Sequence, residues 1–276
     1  MKIGVIGLGL IGGSLGLCLR QMKLVNRVYG YDISKENEKE ALNLGLVDEI
    51  ISFDSIKEIC DIIFLAIPVE AIIDTLYKLK DIKETTTIID LGSTKLKIIK
   101  HCPAEIRSNL VASHPMAGTE NSGPKAAFKE LLKDAVVVIC DEDNSGSFHV
   151  KRAIEIFSYA GMRIIFMDST RHDHHVALIS HLPHIVSYAL VNSVLKSQNR
   201  KNVINLAGGS FSDVSRIAKS SPEMWVDVFR QNRENVINSV SAFRDELEIC
   251  EKMIKEERWD ELKEWLYDAR VIREFL

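Results

Sequence analysis

The chain has 276 residues, 46% hydrophobic and 27% charged, an ordinary balance for one large or two average globular domains that argues against long disorder. A formal net charge of −4 gives no electrostatic footprint for nucleic acid or an anionic membrane. The five cysteines are scattered, odd in number and never in a CxxC pair, so they read as reduced thiols of a cytoplasmic protein, not as a disulfide or zinc framework.

The first predicted element is Lys2–Ile6, apolar and β-branched as a buried parallel strand should be. Gly7, Gly9 and Gly12 then form a strand-to-helix turn: Gly7 permits the bend, Gly9 lets the backbone approach a pyrophosphate, and Gly12 lets the helix pack closely. The N–H groups and dipole at the helix start, around Leu10 and Ile11, favour a phosphate. A second strand, Arg27–Tyr31, ends in Asp32, an acid suited to both ribose hydroxyls and repulsive to a 2′-phosphate. Strand, turn, helix, strand and acid in this order predict a dinucleotide site for NAD rather than NADP. The uncharged stretch 3–19 could pass for a signal peptide, but its six glycines and the Arg20 that follows argue against export.

Further strands are predicted at 61–66 (DIIFLA), Thr87–Asp90, 110–113, 135–140 and Arg163–Met167, separated by helical stretches. Such alternation predicts a doubly wound parallel sheet of Rossmann type over residues 1–168. Ligands bind beyond the carboxyl ends of strands in such sheets. Ala66 and Pro68, the segment 90–95 with Ser93, and the segment 114–123 all lie there, the first three as candidate cofactor contacts.

From Ser169 the strand runs stop, and residues 169–276 read as an all-helical substrate and dimerisation domain. Ser169 or Thr170 is expected to cap a long helix to about Leu195, kinked at Pro183. Ser221-Pro222-Glu223 starts another helix, and Trp259, Leu262, Trp265 and Leu266 mark the last. Apolar stripes of this kind are rarely buried by one copy alone, which predicts a homodimer.

His114, in SHPMAGTENSG after a strand, is placed to take a proton near neutral pH; the plainer reading is a locally bonded turn histidine. Ser93 and Lys95, beyond the neighbouring strand, could add a hydroxyl and a cation, while Ser93 or Thr94 could simply cap a helix. Five histidines fall between 172 and 184. No familiar metal-ligand spacing accompanies them, so no metal is expected. His172, His174 and His175 read as solvated or capping residues, whereas His181 and His184 flank Pro183 and could turn toward a cleft. Arg216 suits a carboxylate or, equally, a solvated helix face, and Trp225 reads as core.

Together the segments GLGLIGGSLG, DLGSTK, SHPMAGTENSG, SHLPH and GGSFSDVSRIAKSSPEMW resemble the prephenate and arogenate dehydrogenases of tyrosine biosynthesis, essentially end to end. The resemblance implies NAD-dependent oxidation of a cyclohexadienol, with loss of its ring carboxylate as CO2 and formation of an aromatic ring. Prephenate would give 4-hydroxyphenylpyruvate, and arogenate would give tyrosine. It further implies that His114 accepts the hydroxyl proton and that Ser93 helps hold the histidine and the hydroxyl. Arg216 would bind a substrate carboxylate, His184 and His181 would line the pocket with Gly209, and Glu120 would be a polar gate. Ser215 stands where the family often has threonine, and Ser212 where some relatives place a basic residue, so the preferred substrate is open. A β-hydroxyacid or imine dehydrogenase would not predict HPMAG together with SHLPH. A non-catalytic NAD-binding sensor with a helical partner-binding domain would not require His114, Ser93 and Arg216 together.

Overall fold

A computed structural model describes residues 1–275. Eight strands, β1 (Lys2–Ile6), β2 (Arg27–Tyr31), β3 (Glu49–Ile50), β4 (Ile62–Leu65), β5 (Thr87–Asp90), β6 (Leu110–Pro115), β7 (Val136–Cys140) and β8 (Arg163–Met167), form one sheet in the order β3-β2-β1-β4-β5-β6-β7-β8. Both faces are covered. On β4, Ile62 and Phe64 enter one apolar core while Ile63 and Leu65 enter the other.

The sheet departs from the expected all-parallel arrangement at β7, which runs antiparallel to β6, with His114 opposite Val138. The physical reason lies in the connection. Residues 116–135 contain two short 3-10 turns, Pro124–Ala126 and Lys129–Leu132, and no α-helix to carry the chain across a face. The strand therefore returns from the same edge, the Met116 N–H donating to the Val136 carbonyl at 2.7 Å. β8 pairs parallel to β7 after the helix Ser147–Tyr159. The two-residue β3 is too short to leave a sequence pattern.

The chain then enters the helix Ser169–Val176, a π-helical turn Ala177–His181 and the helix Leu182–Leu195. The cap is Asp168, whose carboxylate accepts from the Arg171 N–H at 2.9 Å, and not Ser169 or Thr170. Asp141 adds a second anchor, accepting from Ser169 N at 2.9 Å and Ser169 Oγ at 2.7 Å. The irregularity expected at Pro183 is a widened turn just before it, with Pro183 itself in the first turn of the next helix, where a missing N–H costs little.

The structure forms two compact units that divide after Asn232. The first contains the sheet and the helices to Gln231. The second is built on the helices Arg233–Lys255 and Trp259–Arg270, joined by a hydrogen bond from Trp265 Nε1 to Glu246 at 3.0 Å.

A buried ion pair braces the carboxyl edge of the sheet. The side chains of Asp90, ending β5, and Lys95 expose no surface, and the Lys95 ammonium donates to Asp90 and, at 2.6 Å, to the carbonyl of Ser113 in β6. Ser113 Oγ donates to the Asp90 carbonyl at 2.7 Å. Burial pushes the Asp90 carboxyl upward, opposed by Lys95 and the Gly92 N–H. Lys95 is thus an interior strut and not the available cation expected from its position. Replacing it by methionine strands a buried carboxylate, and Lys95→Met is expected to lose about 3–5 kcal/mol of stability. Urea unfolding should show a lower midpoint at unchanged slope, with Asp90→Asn/Lys95→Met recovering much of the loss. A single-variant loss under about 1 kcal/mol would refute the bracing role.

Candidate active site

The glycine turn follows β1 at the carboxyl edge. Gly7 has φ +93°, and a Cβ on Gly12 would collide with the Gly7 carbonyl oxygen. In front of Gly9, which heads the helix Leu10–Leu19, no atom lies within 4 Å of where a Cβ would stand. Leu10 and Ile11, both half-buried, open the first turn. Asp32 ends β2 with Oδ2 accepting from Leu8 N at 2.8 Å and Oδ1 from Ser34 N at 2.9 Å. Asn37 Nδ2 also donates to Oδ1 at 3.3 Å, and of a carboxylate's about four lone-pair positions one remains for a ribose hydroxyl. Ala66 is half-buried and the exposed Pro68 precedes the helix Val69–Lys78. Open space before a helix N-terminus, with an acid at the end of the neighbouring strand, fits a dinucleotide.

Three strands away, on the same edge, His114 begins a buried polar chain. Its Nδ1 lies 2.9 Å from His172 Nε2, and His172 Nδ1 lies 2.8 Å from Asp173 Oδ1. The same carboxylate accepts from Lys95 N at 2.8 Å and Leu96 N at 3.0 Å, capping the helix Leu96–Lys100 across 77 or more residues of sequence. This replaces the expected cap by Ser93 or Thr94; Thr94 Oγ1 is buried without a partner. His172, expected to be solvated or capping, is only 1% exposed, because its helix packs against both β7 and the helix Leu96–Lys100. His174 and His175 are exposed. Burial holds the His114 imidazole well below its ordinary pKa, reinforced by the charges His172, Lys95 and His181 would carry.

From Asp173 the network continues. The Asp173 carbonyl accepts from Asn232 Nδ2 at 2.6 Å, and this nitrogen also lies 3.3 Å from His181 Nδ1. His181 is 1% exposed, its Nε2 has no partner among the described residues, and burial pulls its pKa down to about 4. His184 donates from Nδ1 to the Ser180 carbonyl at 2.9 Å and lies against Trp225, ring centroids 3.8 Å apart. Trp225 is buried, as expected, and also meets His181 edge-on at 5.9 Å. His181 and His184 thus share Trp225 but make separate hydrogen bonds, and among the described residues no group of three or more metal-binding side chains is assembled.

Arg216, 57% exposed at its side chain, pairs with Glu120 at 3.2 Å and joins the loop after β6 to the helix Gly209–Arg216. Gly209 opens that helix in open space. Ser93 is half-buried beyond β5, and among the described residues it makes no hydrogen bond to His114. Sequence reasoning missed Asp173, Asn232 and the inward role of His172. The one available signal was a carboxylate directly beside a histidine, the usual means of orienting an imidazole.

The comparisons agree with this arrangement. Residues 15–166 match the family described as prephenate dehydrogenase, nucleotide-binding domain, and residues 168–268 match prephenate dehydrogenase, dimerization domain. The cyclohexadienyl dehydrogenase of Zymomonas mobilis is 32% identical over 98% of this chain and 94% of its own length. The prephenate dehydrogenase of Bacillus subtilis is 32% identical over 98% of this chain and 74% of its own. A solved structure of prephenate dehydrogenase from A. aeolicus, in complex with hydroxyphenyl propionate and NAD+, superposes with a TM-score of 0.92 at 31% identity, covering 99% of this chain and 97% of that one. A dinucleotide turn and a buried histidine chain on one sheet edge, matched in both halves of the sequence, place the chain in the prephenate dehydrogenase family.

Proposed function

We propose that the chain catalyses the NAD-dependent oxidative decarboxylation of prephenate to 4-hydroxyphenylpyruvate and CO2, in tyrosine biosynthesis. The observation that carries this reading is His114, a buried imidazole held neutral at the carboxyl edge that also bears the glycine turn. Gly7, Gly9, Leu10, Ile11, Gly12, Asp32, Ala66, Pro68 and Ser93 would hold NAD+, which supplies when bound an acceptor for the hydride leaving the ring carbon. His114 takes the proton of the hydroxyl on that carbon as it becomes a carbonyl. The ring carboxylate then departs as CO2, the electrons of the broken bond complete the aromatic ring, and the proton returns to the phenolic oxygen. Aromatisation supplies the driving force, so the protein's task is alignment.

Arg216 is assigned to a substrate carboxylate, for which its planar fork is suited. Its present partner Glu120 is held by an exposed ion pair, a weak contact that an incoming carboxylate can replace. His184, His181 and Gly209 complete the substrate-binding set, and Ser93 is assigned to the reacting hydroxyl. The exposed Asp213 and Ser212 on the Arg216 helix favour a second reading, arogenate, whose ammonium an acid would attract where prephenate has a keto group.

Rates of NADH or NADPH formation from prephenate and from arogenate, each with NAD and NADP, test both readings together. Turnover is expected with NAD, and His114→Asn should lower kcat by about 10²–10⁴-fold with NAD affinity nearly unchanged. A wild-type rate in that variant would remove His114 as the base, and no turnover of either substrate would return the chain to the sensor reading. Because burial lowers the His114 pKa, the acid limb of kcat/KM should lie below the ordinary histidine value of 6.5.

A domain boundary near residue 168 is proposed from the change of texture in the sequence, and the junction of the two family matches supports it, whereas the compact units of the fold divide after Asn232. The second match carries the description of a dimerization domain, and Leu190, Leu195, Val203, Ile204 and Leu206 are exposed within it. A homodimer is proposed to cover this apolar surface. Light scattering should give twice the 31.1 kDa chain mass, and a monomer at micromolar concentration would sink the idea. Five free thiols support a cytoplasmic location.

A further inference from the structure

A histidine can act as a base only at the ring nitrogen that lacks a proton, so the side chain that fixes the tautomer decides whether His114 can work. For a neutral His172, the hydrogen bonds around Asp173 decide this. Backbone N–H groups can only donate, and Lys95 N bonds Oδ1 while Leu96 N bonds Oδ2. Both carboxylate oxygens are therefore acceptors. His172 Nδ1, 2.8 Å from Oδ1, must carry a proton. In neutral His172 the lone pair is then on Nε2, which accepts from His114 Nδ1 at 2.9 Å. His114 is left with its proton on Nδ1 and a lone pair on Nε2, a nitrogen that no hydrogen bond occupies among the described residues.

We infer that His172, oriented by Asp173, is a positioning residue that locks His114 in the tautomer whose Nε2 can receive the substrate's hydroxyl proton. This rests on the reading of His114 as the base. As that proton arrives, the imidazolium keeps its Nδ1–H bond to His172, and the Asp173 carboxylate lies one ring further away to offset the charge. The anchor is rigid because Asp173 is fixed by a helix N-terminus, and His172 and Asp173 are almost entirely buried. The other ionisable groups facing His114 are Lys95, locked to Asp90, and His181, whose Nδ1 faces Asn232. Neither makes a hydrogen bond to the His114 ring.

The test is 15N NMR of the full-length protein with labelled histidine, the His114 signals being assigned with His114→Asn. Wild type should show a protonated Nδ1 and a lone-pair Nε2 on His114; a proton on Nε2 instead would overturn the inference without any variant having to fold. Kinetics add a second arm. His172→Phe, which offers no acceptor, should cut kcat by about 10²–10⁴-fold with KM within about threefold, while His172→Gln, able to accept from His114 and donate to Asp173, should keep kcat within about tenfold of wild type. Equal kcat in His172→Phe and wild type would refute the positioning role. If His114→Asn also turns over at the wild-type rate, the base assignment itself has failed, a distinct result.

Discussion

Lys95 is the residue at which the sheet and the helical segment meet. Its ammonium ties Asp90 of β5 to the Ser113 carbonyl of β6, and its own N–H is received by Asp173 from the helix Ser169–Val176. Taking an ammonium fully out of water costs several kcal/mol, a cost offset only if every bond it makes is well formed. Ser113 is the residue before His114, so the strut fixes the backbone from which the histidine projects. The Asp173 carboxylate reaches the same histidine through His172. Main chain and ring are thus held from two sides by one residue's neighbours.

That arrangement also determines the electrical state of the site. Burial opposes a charge on the His114 ring, with His172 and the Lys95 ammonium adding smaller contributions, so His114 is held well below its ordinary pKa and favours the neutral form. The Lys95 charge does not reach outward to a ligand, because Asp90 neutralises it in place. Arg216, proposed to meet the substrate's charge, is instead exposed and held by one weak partner, Glu120. Rigid charges lie inside and exchangeable charges outside, a division that suits a site that must admit an anion and then align it.

What could be read from sequence divides along the same line. The glycine turn was legible because each glycine answers a local steric demand: a positive φ at Gly7, a collision at Gly12, open space before Gly9. His114 was legible from its place at a strand's carboxyl end. The direction of β7 was not, since a β-branched run carries no arrow and only the connection decides. His172 was misread for a related reason. Its partner His114 and the Lys95 N–H that holds the neighbouring Asp173 are more than fifty residues distant, and nothing in HDHH says which ring faces inward. Lys95 looked like a free cation because the charge that neutralises it becomes buried only when β5 and β6 pair.

The π-helical turn explains how histidines so far apart along one helix converge. His172 and His181 are nine residues apart, and on a regular helix of about 3.6 residues per turn they would lie about half a turn out of phase, on opposite faces. The widened turn Ala177–His181 takes up roughly one extra residue and so rotates everything beyond it by about 100° relative to the residues before. His181 is thereby brought round to Asn232, which holds the Asp173 carbonyl, so both histidines are linked to Asp173. The same rotation re-aims the helix Leu182–Leu195, setting His184 against Trp225. An ordinary α-helix would set the two histidines on opposite faces, whereas the irregular turn lets both connect to Asp173.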